Sequence, residues 1–98
     1  MSCFAGSTTG TISRILFIET GAKGLIYIYP EGGVNDPPAC HGSNGDYYSF
    51  KADRPMAQEY ITGLLAAFAA GKTVFLRGRN ECVDQGVSET LLYFYVDS

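Results

Sequence analysis

Between Asp53 and Gly71 the spacing of apolar residues changes once, and that change restricts the chain to few architectures. Ala57, Tyr60, Ile61, Leu64, Leu65 and Phe68 recur at helical intervals, so they form one stripe along a helix spanning roughly 54–70. Asp53 is placed as its N-cap, and Pro55 falls in the first turn, where a missing N–H costs nothing. Gly71 suits the left-handed residue past the helix end. All other regular segments are of strand type, so the helix is a single insertion into a β-rich chain.

Five strands are predicted around it. Thr11–Thr20 is rich in β-branched and aromatic residues, and its unbroken apolar run Ile15–Ile18 implies a bulge or burial of both faces. The turn Gly21-Ala22-Lys23-Gly24 joins it to Leu25–Tyr29 as a hairpin. A long Gly/Pro-rich loop over 30–45 leads to Asp46–Lys51, and Thr73–Arg77 and Glu89–Val96 follow the helix. Residues 1–10 are predicted as an irregular lead-in. The expectation is one mainly β domain over 1–98, ordered β-β-β-α-β-β.

Composition limits what such a domain does. Hydrophobic residues at 46% against 17% charged are enough for one core, and seven Tyr with six Phe exceed what a core this size hides. Alternation puts Val74 and Leu76 with Leu92, Phe94 and Val96, and leaves Phe75, Tyr93 and Tyr95 opposite, as Tyr27 and Tyr29 lie opposite Ile26 and Ile28. One face is therefore aromatic, serving either as the second side of a closed barrel or as a subunit contact or stacking platform. A net charge of −3 has the wrong sign for neutralising phosphates, so nucleic acid is not an expected partner. No apolar run approaches the roughly 20 residues of a membrane span, and Met1-Ser2-Cys3-Phe4 lacks the form of an export signal, so compartment is left open.

Cys3, Cys40 and Cys82 show neither CxxC spacing nor partner histidines, which argues against zinc. Cys40 and Cys82 lie in polar loops flanking the middle of the chain, so a bridge between them with Cys3 left over is expected, three free thiols being the alternative. Ala70-Gly71-Lys72-Thr73 follows a helix and has Ala66 where a phosphate loop needs glycine. His41 beside Cys40 has no evident orienting group, and Glu31 with Asp36 or Glu81 with Asp84 reads as ordinary loop charge. No enzyme and no cofactor is therefore expected. Arg77, in Arg77-Gly78-Arg79, offers a guanidinium fork suited to carboxylates, or is simply a solvated strand end. Tyr47 and Tyr48, as neighbours in a strand, point to opposite sides, so one can be buried while the other meets a ligand.

The element order is that of an OB-type barrel. The run from Tyr60 through Gly71-Lys72-Thr73 to Leu76, then Cys82 and a closing aliphatic-aromatic strand, resembles the binding subunits of pertussis-like and subtilase-type bacterial toxins. Cys40 and the opening Gly10-Thr11-Ile12-Ser13 fit as well, so the similarity covers most of the chain. It implies a five-stranded OB-like barrel in a homopentameric ring that binds cell-surface glycans, often sialylated, without chemistry of its own. It also implies a secreted or periplasmic setting, and it matches Ser13 to the family's sugar-contacting serine. Thr9 stands where that family often carries an acidic residue. The expected function is thus glycan binding by a homo-oligomer, a pentamer or else a dimer, with Ser13, Tyr47, Tyr48 and Arg77 as ligand residues. The alternative is an oligomeric structural or protein-interaction domain on the same scaffold.

Overall fold

The computed structural model describes residues 6–20, 23–35, 40–41, 46–84 and 88–96. The elements are β1 (Ser7–Gly10), β2 (Ile12–Thr20), β3 (Lys23–Pro30), β4 (Tyr48–Lys51), α1 (Ala57–Ala70), β5 (Val74–Gly78) and β6 (Leu91–Val96). They form two three-stranded antiparallel sheets, ordered β1-β5-β6 and β2-β3-β4. The chain is mainly β with one helix, as expected. The strand count is corrected from five to six, and the ladders among the described residues close no barrel. The Gly21-Ala22 half of the predicted turn, Cys3, Asp36 and Gly86 lie outside the described residues.

The additional strand comes from the expected lead-in. Ser7–Gly10 pairs with β5 from Ser7↔Arg77 to Gly10↔Val74, and Ser7 also exchanges backbone bonds with Asn35. Short polar residues hold a strand here because Thr8 turns inward, donates to the Gly33 carbonyl at 2.7 Å and meets the Tyr48 hydroxyl at 3.0 Å. Only Thr11 separates β1 from β2, so one stretch of chain serves both sheets. The outer strand β4 approaches the segment before β6 through a parallel bridge, Ser49↔Thr90, and the Ser49 N–H donates to Glu89 O at 3.1 Å.

In β2 the irregularity falls between Ile12 and Arg14, at Ser13, rather than within Ile15–Ile18. That apolar run is not buried on both faces either: Phe17 is 52% exposed and Ile18 38%. Inward alternation is regular in β3 and β5. Ile26 and Ile28 of β3, Tyr48 and Phe50 of β4, Val74 and Leu76 of β5 and Leu91 form the core with Ile12. Phe94 packs partly against it, opposite Leu76. A shift between Arg77 and Gly78 brings Leu91 inward and leaves Leu92 exposed.

The helix begins at Ala57, three residues later than expected, and Asp53 does not cap it. Pro55 disfavours helical geometry at Arg54, so 52–56 form turns instead and Met56 takes the cap position with a left-handed φ of 66° and no side-chain cap bond. At the other end Gly71, φ 66°, closes the helix as predicted, its N–H bonding Phe68 O and the Lys72 N–H bonding Ala67 O. The docked face is rotated from the expected stripe. Ala57, Leu64 and Ala67 are buried and Tyr60 and Ile61 lie against the core, whereas Leu65 and Phe68 are exposed. Small residues allow the approach: a Cβ on Gly63 would lie 2.9 Å from the Phe94 ring.

Candidate ligand-binding site

Ser13 stands at the β2 bulge, exposed, with its Oγ donating to the Tyr29 carbonyl at 2.9 Å. A bulge re-aims a side chain out of the alternating pattern, and this one lies at the rim of a depression. The floor of the depression is the end of β3 and the turn after it. Gly33 N–H bonds Pro30 O at 3.1 Å, and Gly32 at φ 87° occupies the third turn position, which favours glycine. Glu31 projects from that turn. Asp46 comes from the other side of the long loop, close enough to Gly33 that a Cβ there would lie 3.3 Å from Asp46 Oδ1. Ser13, Tyr29, Pro30, Glu31, Gly32, Gly33 and Asp46 together line about 370 Å3 of open-mouthed space.

Beside it lies an aromatic group. Tyr47 stacks on Tyr27 at 4.4 Å and 19°, tilts against Tyr29 at 5.0 Å, and the Arg14 guanidinium sits 5.1 Å from the Tyr29 ring centre. Such a cluster fixes the Tyr29 ring that borders the depression.

The other expected ligand residues are placed differently. Tyr48 is fully buried in the core, and burial pushes its phenol well above the ordinary value of 10.0; the Thr8 hydrogen bond opposes this, the Glu89 charge adds to it, and Arg77 opposes it. It is therefore a structural residue; alternation places the two tyrosines on opposite sides without revealing which faces in. Arg77 lies on β5 in the other sheet, in register with Ser7 and Tyr93, and does not line the Ser13 depression. Its neighbours belong to an outward aromatic row, with Phe75 and Tyr95 stacked at 5.0 Å and Phe75 and Tyr93 tilted at 6.2 Å. A second open depression of about 400 Å3 adjoins that row, lined by Thr9, Lys72, Thr73, Phe75 and Tyr95 among others.

Cys40 and Cys82 are bridged, with Sγ atoms 2.07 Å apart and Cα atoms 6.1 Å apart. The bridge ties the long loop to a polar knot that sequence reasoning missed. Glu89 is fully buried, its Oε2 accepting from Gly6 N–H at 2.9 Å and Asn80 N–H at 2.9 Å, its Oε1 from Gly6 N–H at 3.2 Å. Thr90 Oγ1 accepts from the Val83 and Asp84 N–H groups, and Asp84 Oδ2 accepts from the Lys51 N–H and lies 3.7 Å from Arg54. His41, for which the sequence shows no orienting group, is half-buried and accepts the Glu89 N–H through Nδ1 at 2.9 Å. Of the two weighed carboxylate pairings, Glu81 and Asp84 are engaged separately, Glu81 with Arg79 and Asp84 in this knot, and Asp36 of the other lies outside the described residues. Compared with protein-family models, with curated proteins and with solved structures, the chain matches none.

Proposed function

We propose that this protein is a non-catalytic glycan-binding module, resembling toxin binding subunits in plan, that takes sugar at the Ser13 depression and works as a homo-oligomer. The observation that carries the reading is the bulge itself, which sets an exposed hydroxyl at the rim of a pocket bordered by a tyrosine. Because Ser13 Oγ donates to Tyr29 O, it meets a sugar hydroxyl as an acceptor. Tyr29, braced by Tyr47, supplies the apolar wall that carbohydrate recognition combines with directional bonds. Arg77 and the outward row of Phe75, Tyr93 and Tyr95 belong to a different face, which this reading assigns to contact between copies.

An OB-like scaffold is part of the proposal. It is supported by the single stretch that feeds both sheets across Thr11 and by the parallel Ser49↔Thr90 bridge between their far edges. Self-association is supported by β6, an outer strand of its sheet, where Leu92, Tyr93, Tyr95 and Val96 are each 39–49% exposed. A ring of five follows from the resemblance, and a dimer satisfies the same edge. The second reading, a protein-interaction domain without a sugar site, draws on the same apolar edge.

A glycan array on purified protein tests the first reading, with Ser13→Ala alongside. Losing one hydrogen bond in such a site weakens binding about 5- to 150-fold, the equivalent of about 1–3 kcal/mol. Binding to no glycan overturns the lectin reading in favour of the interaction domain, and unchanged binding by Ser13→Ala moves the site elsewhere. A monomer mass by light scattering at tens of micromolar removes the oligomer.

A further inference from the structure

We infer that the Ser13 depression selects neutral sugars with adjacent free hydroxyls and rejects acidic ones, sialic acid included; this rests on the glycan-binding reading. The charged side chains lining the depression are Glu31 and Asp46, both carboxylates and both exposed. Among the described residues neither has an ion pair, unlike Asp84 with Arg54 and Glu81 with Arg79. The nearest basic side chain in sequence, Arg14, lies over the Tyr29 ring and does not line the space. Arg77, the residue whose fork suits a sugar acid, is in the other sheet.

A ligand carboxylate entering here meets two like charges and, among the described lining residues, no compensating cation. Ionised carboxylates are acceptors only, and one of them takes two neighbouring hydroxyls as donors in a charge-assisted pair. The arrangement therefore attracts a vicinal diol with the same groups that repel an acid, which is selection by a repulsive element as well as an attractive one. Asp46 reaches the depression because position 33 is a glycine at φ 73°: an added Cβ there would stand 3.3 Å from Asp46 Oδ1 and crowd it. Gly33 itself is anchored from below by the Thr8 hydroxyl.

The test is an array of matched pairs, each neutral glycan printed beside its terminally sialylated form, for instance lactose beside 3′-sialyllactose. Native protein, Ser13→Ala and the double variant Glu31→Gln/Asp46→Asn are read at 0.15 M and about 1 M salt. The expected result is at least about 10-fold weaker binding of sialylated members, with the gap narrowing at high salt, where the screening length falls to about 3 Å, and in the double variant. Equal or tighter binding of sialylated members that is lost in Ser13→Ala overturns the inference and leaves the glycan reading intact. A neutral preference that the double variant keeps in full also overturns it, since the carboxylates would then not be its cause. Binding to no member of any pair removes the glycan reading and this inference with it.

Discussion

Glu89 holds a carboxylate where no solvent reaches, a placement that costs several kcal/mol unless every oxygen is answered. The answers come from the Gly6 and Asn80 backbone, and Asn80 adopts φ 66°, a conformation asparagine tolerates better than most residues. Gly78 makes room: a Cβ there would lie 2.0 Å from the Glu89 carboxylate, which cannot swing aside without losing its donors. Gly78→Ala is accordingly expected to cost at least about 2 kcal/mol in urea unfolding, against less than about 1 kcal/mol for Gly10→Ala, whose nearest neighbour would be 3.6 Å away. Equal losses at the two positions would mean that the cradle is not rigid. Nothing local in the sequence marks Glu89, because its partners lie 83 and 9 residues away and are backbone groups, which carry no residue signature. Tyr48 shows the same limit more mildly. The pairing of one inward with one outward tyrosine is readable from strand alternation, while the buried hydroxyl that the inward one meets, Thr8, lies 40 residues earlier.

At the level of elements, the helix and the strands flanking it were legible because their signals are periodic and internal. Their boundaries depended on less regular chemistry, such as Pro55 acting on Arg54. β1 was invisible because Ser7-Thr8-Thr9-Gly10 has no apolar alternation, and its strand character comes from β5 on one side and Asn35 on the other. The rotated docking face of α1 separates two adjacent leucines that the stripe treated alike. Leu64 is fully buried, so Leu64→Ala is expected to cost about 2–5 kcal/mol, whereas Leu65, 40% exposed, should lose under about 1 kcal/mol as alanine. Thermal or urea unfolding of the two variants decides it, and a Leu65→Ala loss matching Leu64→Ala would place the wrong face inward. In the candidate site, Ser13 was reachable through the resemblance, but the convergence of Glu31 and Asp46 was not. The two are brought together by a turn and a loop crossing, for which spacing along the chain gives no rule.

For the molecule as a whole, the Cys40–Cys82 bridge is the strongest long-range constraint. With the cysteines separated by 42 positions in sequence, chain-entropy arithmetic gives about 4 kcal/mol of stabilisation, acting mainly on the unfolded chain. Cys40→Ser with Cys82→Ser should therefore unfold at markedly lower urea, and a loss under about 1 kcal/mol would show that the unfolded chain is already compact. The closed ring also has a course through the fold. Running from 40 to 82, it contains β4 of one sheet, the whole of α1 and β5 of the other, while β1, β2, β3 and β6 hang outside it. A protease cutting once in the turns of 52–56 would thus produce a nicked but covalently single molecule, its two halves separable only after reduction. One cut between β2 and β3 would instead leave the amino-terminal piece attached by ladder bonds and packing alone, so the same chain is tolerant of chemical breakage at its centre and intolerant of it near its start.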